Sequence, residues 1–293
     1  MSDLALPAPS GTADQPRRWQ RGVTRLARHA LAILAVAVIV LVVLWALAPA
    51  LFTSADPYQG IPRQRFQPPS ADHWFGTDAI GRDLFGRVVY GASTSLRAVA
   101  IAILVAFVNG AVLGMIAGFV GGTVEDVLMR IVDILLSIPS LLVSLILITV
   151  LGVGTTNVAI AVGIAAVAAF ARVMRAEVLR VRTALYVEAA AAGGVRWTGI
   201  LWRHVLPNAI GPVIALSVLE FGTAILAISG LSFLGFGPAP PTPEWGALIA
   251  DGRSYVATAW WLTALPGGVI LLVVLSANIV SRSLDRHRGA TEW

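Results

Sequence analysis

Long runs without a charged residue alternate with short charged segments along the chain. Residues 30–52 and 98–120 are uncharged runs of 23 residues each. As an α-helix, each run would extend about 35 Å, which is enough to cross the hydrocarbon core of a bilayer. The pattern therefore predicts a transmembrane helix in each run.

The next uncharged run is too long for one crossing. It covers the 38 residues between Asp133 and Arg172, which would extend about 57 Å as a single helix. Residues 152–157 read Gly-Val-Gly-Thr-Thr-Asn, a composition typical of a turn. The remaining predicted spans are the third near 131–151, the fourth near 156–173, the fifth near 209–231 and the sixth near 257–280. The predicted fold is an all-α integral membrane protein with six transmembrane helices.

The placement of arginine predicts the orientation in the membrane. All 21 basic residues are arginines, since the chain has no lysine. Fifteen of them lie in the two tails and in the segments after the second and fourth spans, and six lie in the other segments. Because basic residues accumulate on the cytoplasmic side, we expect both termini in the cytoplasm. A topology signal also explains this charge better than nucleic-acid binding does.

These boundaries divide the chain into five parts. In order, they are a basic cytoplasmic tail (1–29), the first span (30–52), an extracytoplasmic loop (53–97), a core region with spans two to six and the 174–208 loop (98–281) and a cytoplasmic tail (282–293). The basic start could also introduce a secretory signal peptide, but the apolar part of such a peptide is about 7–15 residues long. We therefore expect an uncleaved anchor.

Composition excludes several classes of enzyme. Hydrophobic residues make up 57% of the chain and charged residues 13%, and there is no cysteine. Without lysine the chain cannot build a P-loop or a Schiff-base site, and without cysteine it has no thiolate for metal binding or catalysis. We expect this chain to be no enzyme and to hold no cofactor or metal.

The loop between the fourth and fifth spans, residues 174–208, is long enough to suggest a function. Residues 184–192 are rich in helix-forming residues, Gly193 and Gly194 then favour a stop, and residues 197–205 resume a helical pattern. The segment therefore predicts a helix-turn-helix on the cytoplasmic face.

Four motifs resemble one family of membrane proteins. Residues 188–194 (Glu-Ala-Ala-Ala-Ala-Gly-Gly), followed by His-Val-Leu-Pro at 204–207, resemble the EAA loop of ATP-binding cassette (ABC) importer permeases. The other three are His-Trp-Phe-Gly-Thr-Asp at 73–78 with Gly-Arg-Asp at 81–83, Arg130 to Asp133 with Pro139, and Ser-Phe-Leu-Gly at 232–235 with Glu-Trp-Gly at 244–246. Together they are similar to the C-type permeases of dipeptide, oligopeptide and nickel importers, over residues 25–285.

The resemblance implies the type I ABC importer permease fold and a role in coupling. It places contact with an ATPase subunit at seven residues: Glu188, Ala189, Ala190, Gly194, His204, Leu206 and Pro207. The implied partners are a B-type permease, two ATP-binding subunits or one fused ATPase that hold ATP and Mg²⁺, and an extracytoplasmic substrate-binding protein. The implied location is the bacterial cytoplasmic membrane.

The chain departs from the family pattern at three places. His204 stands where the EAA loop has isoleucine, Ile228-Ser229-Gly230 stands where members often carry a glutamate, and Ser281-Arg282 replaces Gly-Asp. The substrate, whether peptide, nickel, opine or glutathione, therefore stays open.

Several single residues allow a functional and a structural interpretation. Glu220 is the only carboxylate well inside a span, and it either faces the translocation path or pairs with another helix. Asp78, Arg82 and Asp83, with Thr77, form either an outer gate or binding-protein contact, or a salt-bridged cap. Asp133 is expected to pair with Arg130 or with an arginine of the EAA loop.

Two backbone features concern helix packing. Gly110, Gly114 and Gly118 are spaced by four residues, which leaves a bare stripe for a close neighbour in this chain or in a partner permease. Pro139 should kink the third span because it removes a helix hydrogen bond.

Two other functions compete with the importer permease. An intramembrane serine protease would need a buried base, and His29, His73, His204 and His287 all lie outside or at the ends of the spans. A self-sufficient channel or secondary transporter would show internal repeats and several buried charges, and the chain shows neither.

Overall fold

The computed structural model describes the backbone of residues 18–289 and the side chains of residues 30–281, and this range is entirely helical apart from turns and loops. The α-helices are α1 Arg18–Leu47, α2 Leu84–Val120, α3 Gly122–Ser137, α4 Ser140–Leu151, α5 Thr155–Arg182, α6 Leu185–Ala192, α7 Trp197–Ile200, α8 Leu206–Leu231, α9 Trp245–Gly252 and α10 Trp261–Gly289. Short π-helical turns, Leu201–Val205 and Ser232–Phe236, extend α8 at its two ends. The predicted all-α class is confirmed.

The number of potential spans agrees with the prediction of six. Within residues 18–289, five helical segments are long and apolar enough to cross a membrane, and α3 with α4 becomes a sixth when this bent pair is counted as one span. The five are Ala30–Leu47, Leu84–Val120, Thr155–Arg182, Trp197–Phe236 and Trp261–Ser281.

The first and last residues of two helices differ from the limits of the apolar runs that predicted them. α1 ends at Leu47 instead of residue 52, because Pro49 follows and the residue before a proline is driven out of the helical conformation. α2 begins at Leu84, 14 residues before the predicted start, so residues 84–97 are helical and the connection between α1 and α2 covers residues 48–83. Asp83 caps this helix by accepting a hydrogen bond from the Gly86 amide at 2.6 Å. The tail residues 1–17 and 290–293 lie outside the described range.

The third predicted span is broken instead of kinked. α3 and α4 meet at an angle of 97°. Ile138 adopts an extended conformation (φ −98°, ψ 133°) ahead of Pro139, which lacks an amide hydrogen. The proline therefore ends one helix and starts the next.

The glycine stripe on α2 is filled by α5 of the same chain. A Cβ atom added to Gly110 would lie 2.8 Å from the carbonyl oxygen of Val167, and one added to Gly118 would lie 2.9 Å from Cβ of Val178. The backbones of α2 and α5 approach closely because these positions lack side chains. The stripe is thus an internal packing surface. Its neighbour at these contacts is α5 of the same chain, so the alternative that a partner permease packs there is wrong.

Candidate functional site

The segment 174–208 forms a helical hairpin at one end of the bundle. Residues 174–182 belong to α5, and α6 follows after two residues. Gly194 then reverses the chain with φ +81°, a conformation that side chains other than glycine rarely adopt. The amide of Val195 donates to the Ala190 carbonyl at 3.2 Å and closes the turn. The predicted helix-turn-helix is present, and its second helix continues into α8.

Apolar side chains hold this hairpin against the bundle. Val187 of α6 and Leu201 and Val205 of the π turn are buried, and they belong to one cluster with Met174 and Val178 of α5. Burial of these side chains removes apolar area from water on the inner side of the hairpin. A force on the hairpin would therefore be transmitted to α5 and α8.

Ion pairs and one cap fix the same end of the bundle. Arg182 donates to the carbonyls of Gly118 and Phe119, at 3.3 and 3.0 Å, where α2 ends and its last carbonyls lack partners. Arg175 of α5 pairs with Glu125 of α3. Asp133 pairs with Arg172 at 2.6 Å. The predicted partners, Arg130 or an arginine of the loop 174–208, were therefore wrong, because Arg172 lies in α5 two residues before that loop.

The outer surface of the hairpin is apolar and exposed. Leu185 is 85% exposed and Trp197 65% exposed. Of the seven predicted coupling residues, Glu188, Ala189, Gly194 and Pro207 are exposed, whereas Ala190, His204 and Leu206 are half-buried. Sequence reasoning missed Leu185 and Tyr186, which precede the motif and are 85% and 47% exposed. The available signal was their apolar character at the start of α6, directly before the motif.

Glu220 lines a cavity inside the bundle. The half-buried carboxylate of α8 borders a space of about 230 Å³. Thr223 and the two serines at the start of α4, Ser140 and Ser144, border the same space. Within residues 30–281, no ion pair joins Glu220 to a basic side chain. The cavity therefore offers a carboxylate without a cationic partner in the described part of the chain.

The predicted outer residues are engaged in their own loop. Asp78 is buried, pairs with Arg82 Nε at 2.6 Å and accepts from the amides of Ile80 and Arg82. Asp83 caps α2 and contacts His73 Nδ1 at 2.9 Å. These contacts give both carboxylates a structural role, while a contact with a binding protein stays a prediction.

A buried glutamate connects α9 to α2 near that loop. Glu244 is fully buried, accepts from Ser95 Oγ at 3.0 Å and caps α9 by accepting from the Ala247 amide at 2.9 Å. Burial raises the pKa of Glu244, and its hydrogen bonds oppose this shift only in part. The residue belongs to the Glu-Trp-Gly motif, so this part of the motif positions α9.

Comparisons with known proteins give consistent results. The family model described as binding-protein-dependent transport system inner membrane component matches residues 110–289. The chain is 39% identical over 266 residues to the dipeptide transport system permease protein DppC of Alkalihalophilus pseudofirmus, covering 91% of this chain and 88% of that protein. It is 40% identical over 246 residues to the probable D,D-dipeptide transport system permease protein DdpC of Escherichia coli, covering 84% and 82%.

Another relative carries a different substrate in its name. The glutathione transport system permease protein GsiD of Pectobacterium atrosepticum is 37% identical over 217 residues, covering 74% of this chain and 72% of that protein. Among solved structures, an amino acid ABC transporter with histidines matches with a TM-score of 0.54 at 14% identity, over 70% of this chain and 95% of that chain. The inward-facing methionine transporter MetNI matches with a TM-score of 0.53 at 16% identity, over 67% and 95%. At these identities, the two structures support the fold alone.

Proposed function

This chain belongs to the family of inner membrane components of binding-protein-dependent transport systems, and we propose that it is the permease subunit that carries di- or oligopeptides in an ATP-driven importer. The names of its relatives support peptides as substrates in preference to nickel. The family also favours this function over a self-sufficient channel or secondary transporter, because the relatives are permease components of multi-subunit systems.

The partners follow from what the chain lacks. It has no lysine for a P-loop, so ATP and Mg²⁺ would be held by separate ATPase subunits. A homologous B-type permease would complete the translocation path, and an extracytoplasmic protein would deliver the peptide. The excess of arginine supports an orientation in which both termini and the 174–208 hairpin would lie in the cytoplasm of a bacterial cell, where the ATPase would bind.

The exposed hairpin is the observation that carries this proposal. Its outer surface offers Leu185, Tyr186 and Trp197, while its inner surface is packed on α5 and α8. An exposed apolar patch on a rigid support is typical of a protein interface. Closure of the ATPase subunits would then move α5 and α8, which border the Glu220 cavity.

Glu220 would face the translocation path. Its carboxylate lies in a cavity with the hydroxyls of Ser140 and Thr223, and a peptide at neutral pH carries an ammonium group at its amino terminus. A charge-assisted contact with that ammonium group would compensate for the cost of holding a carboxylate inside the membrane.

Copurification of the tagged chain with its partners tests the coupling surface. Leu185→Asp should abolish recovery of the ATPase subunit and uptake of labelled dipeptide, because the new charge would be buried in the interface. The variant should still fold, since Leu185 is 85% exposed. Val153→Asp is the matched control, because Val153 is 67% exposed in the turn at the other end of α5. Recovery of the ATPase with Leu185→Asp, or its absence with the wild type, would contradict the proposal.

A further inference from the structure

A second cavity lies at the end of the bundle opposite the 174–208 hairpin. Its volume is about 500 Å³, and it lies between the loop that precedes α2 and the helix α9. Four charged side chains line it, two acidic and two basic: Asp78, Arg82, Arg87 and Asp251. Pockets for small ligands have volumes of about 300–1,000 Å³, so a molecule of the size of a dipeptide fits this space.

Asp78 and Arg82 largely satisfy each other. The Arg82 Nε donates to Asp78 Oδ2 at 2.6 Å, and two backbone amides donate to the other carboxylate oxygen at 3.0 Å each. Because this carboxylate already accepts three hydrogen bonds, it has little capacity left for a neighbour. The other two lining charges, Arg87 and Asp251, do not satisfy each other in this way.

Arg87 is buried with part of its hydrogen-bonding capacity unused. The residue is 2% exposed, and Nη1 donates to the Pro57 carbonyl at 3.3 Å. The nearest carboxylate oxygens lie 3.9 Å from Nε, in Asp78, and 3.8 Å from Nη2, in Asp251. Both distances are too long for a hydrogen bond, and Nε has no hydrogen-bond partner among the described residues. A guanidinium donates five hydrogen bonds in a geometry that matches a carboxylate.

Asp251 lies at the mouth of the same cavity. Its side chain is 58% exposed, and its only ion pair within residues 30–281 is the 3.8 Å approach to Arg87. The exposed Pro240 and Pro241 form the rim beside it. The cavity thus presents a cation at depth and an accessible anion near its entrance, with equal numbers of positive and negative lining charges.

We propose that this outer cavity binds a peptide as a zwitterion, with its terminal carboxylate on Arg87 and its terminal ammonium group on Asp251. The inference rests on the proposed peptide import and adds a binding site in the permease itself, separate from the Glu220 cavity. The peptide carboxylate beside Arg87 supplies the hydrogen-bond acceptor that the guanidinium lacks. Asp251, which then no longer faces Arg87 as its nearest cation, accepts a hydrogen bond from the peptide ammonium group. Each contact adds to the affinity, so a peptide that is blocked at either end should bind less tightly than the free dipeptide.

Binding of L-alanyl-L-alanine to the permease complex in lipid nanodiscs tests the site. The complex is purified with its copurifying subunits but without the extracytoplasmic binding protein, and saturation-transfer NMR titrations give the affinities. Asp251→Asn should weaken Ala-Ala binding by about tenfold or more, since a charge-assisted contact is lost, and leave N-acetyl-Ala-Ala binding unchanged. Arg87→Gln should weaken Ala-Ala and N-acetyl-Ala-Ala, but not the amide Ala-Ala-NH₂.

Asp72→Asn is the matched control, because Asp72 is an exposed carboxylate of the same loop region that does not line this cavity. It should bind Ala-Ala like the wild type. If Arg87→Gln does not fold, the test rests on Asp251→Asn, which should fold because Asp251 is exposed. Its binding of Ala-Ala is then compared with its binding of N-acetyl-Ala-Ala. Absence of Ala-Ala binding to the wild type, or an equal loss for all three peptides in a folded variant, would overturn the site.

Uptake of labelled Ala-Ala by cells separates this inference from the proposed function. If cells take up the dipeptide but the nanodisc complex does not bind it, the result contradicts the outer site and leaves the importer function intact. Binding in the expected pattern without any peptide uptake would support the site and contradict the import of peptides.

Discussion

A methyl group added to Gly114 should separate α2 from α5. An alanine Cβ at this position would lie 2.8 Å from Cβ of Met174 and 2.9 Å from the backbone nitrogen of Arg175, and closer still to the Ala171 carbonyl oxygen. Ordinary van der Waals contact begins at 3.4 Å, so the helices would have to move apart by about 0.6 Å at the methionine alone. Most of these neighbours are backbone atoms, which cannot turn away.

The expected cost of Gly114→Ala is about 1–3 kcal/mol, as for other overpacked interiors. At about 2–4 °C per kcal/mol, the midpoint of thermal unfolding should fall by roughly 2–12 °C. The assay is intrinsic tryptophan fluorescence during heating of the purified protein in detergent. Peptide uptake should fall as well, because α5 connects the hairpin to the Glu220 cavity.

Gly230→Ala is the control for the substitution itself. Gly230 is exposed near the end of α8, and an added Cβ would meet no atom within 4 Å. Alanine in a helix is more stable than glycine by about 0.5–1 kcal/mol, so this variant should unfold at or slightly above the wild-type temperature. If Gly114→Ala were as stable as Gly230→Ala, the close approach of α2 and α5 would be refuted.

Two further predictions concern glutamates in different surroundings. Glu220→Gln should reduce uptake of Ala-Ala by about tenfold or more, because a charge-assisted contact is lost, but should not reduce uptake of N-acetyl-Ala-Ala; an equal loss for both peptides would argue against ammonium binding. Burial raises the pKa of Glu244 above its ordinary value of 4.5, so the folded protein holds a proton that the unfolded chain releases. The stability from this group is fully present below pH 4.5 and is lost as the pH rises through the folded pKa. Glu244→Gln should therefore gain unfolding temperature relative to the wild type as the pH rises; parallel curves for the two proteins would contradict this account of Glu244.

Features that depend on neighbouring residues could be read from the sequence. The uncharged runs indicated the spans because a helix in a bilayer has to be apolar over a known length. The same holds for the hairpin turn at Gly194, the presence of a bend at Pro139 and the bare stripe on α2. Each of these is a property of the local backbone or of helical spacing.

Helix bounds near charged residues could not be read in this way. Arg87 and Arg97 made residues 84–97 look like loop, yet Arg87 lies buried in α2 because Pro57, Asp78 and Asp251 surround it. Pro57 and Asp251 come from distant parts of the chain, so only the folded state shows which groups surround the buried guanidinium. The same reason explains why the outer cavity was missed.

The sequence by itself therefore determined the fold class, the approximate spans, the 174–208 hairpin and the family, since these depend on composition, spacing and motifs. The tertiary structure decided which partner fills the glycine stripe, how sharply the chain breaks at Pro139 and which side chains of the hairpin remain exposed. Among the described residues, it also decided that Glu220 has no ion pair and that Arg87 Nε has no hydrogen-bond partner. These properties depend on distances between residues far apart in the chain, and such distances are set only when the helices pack together.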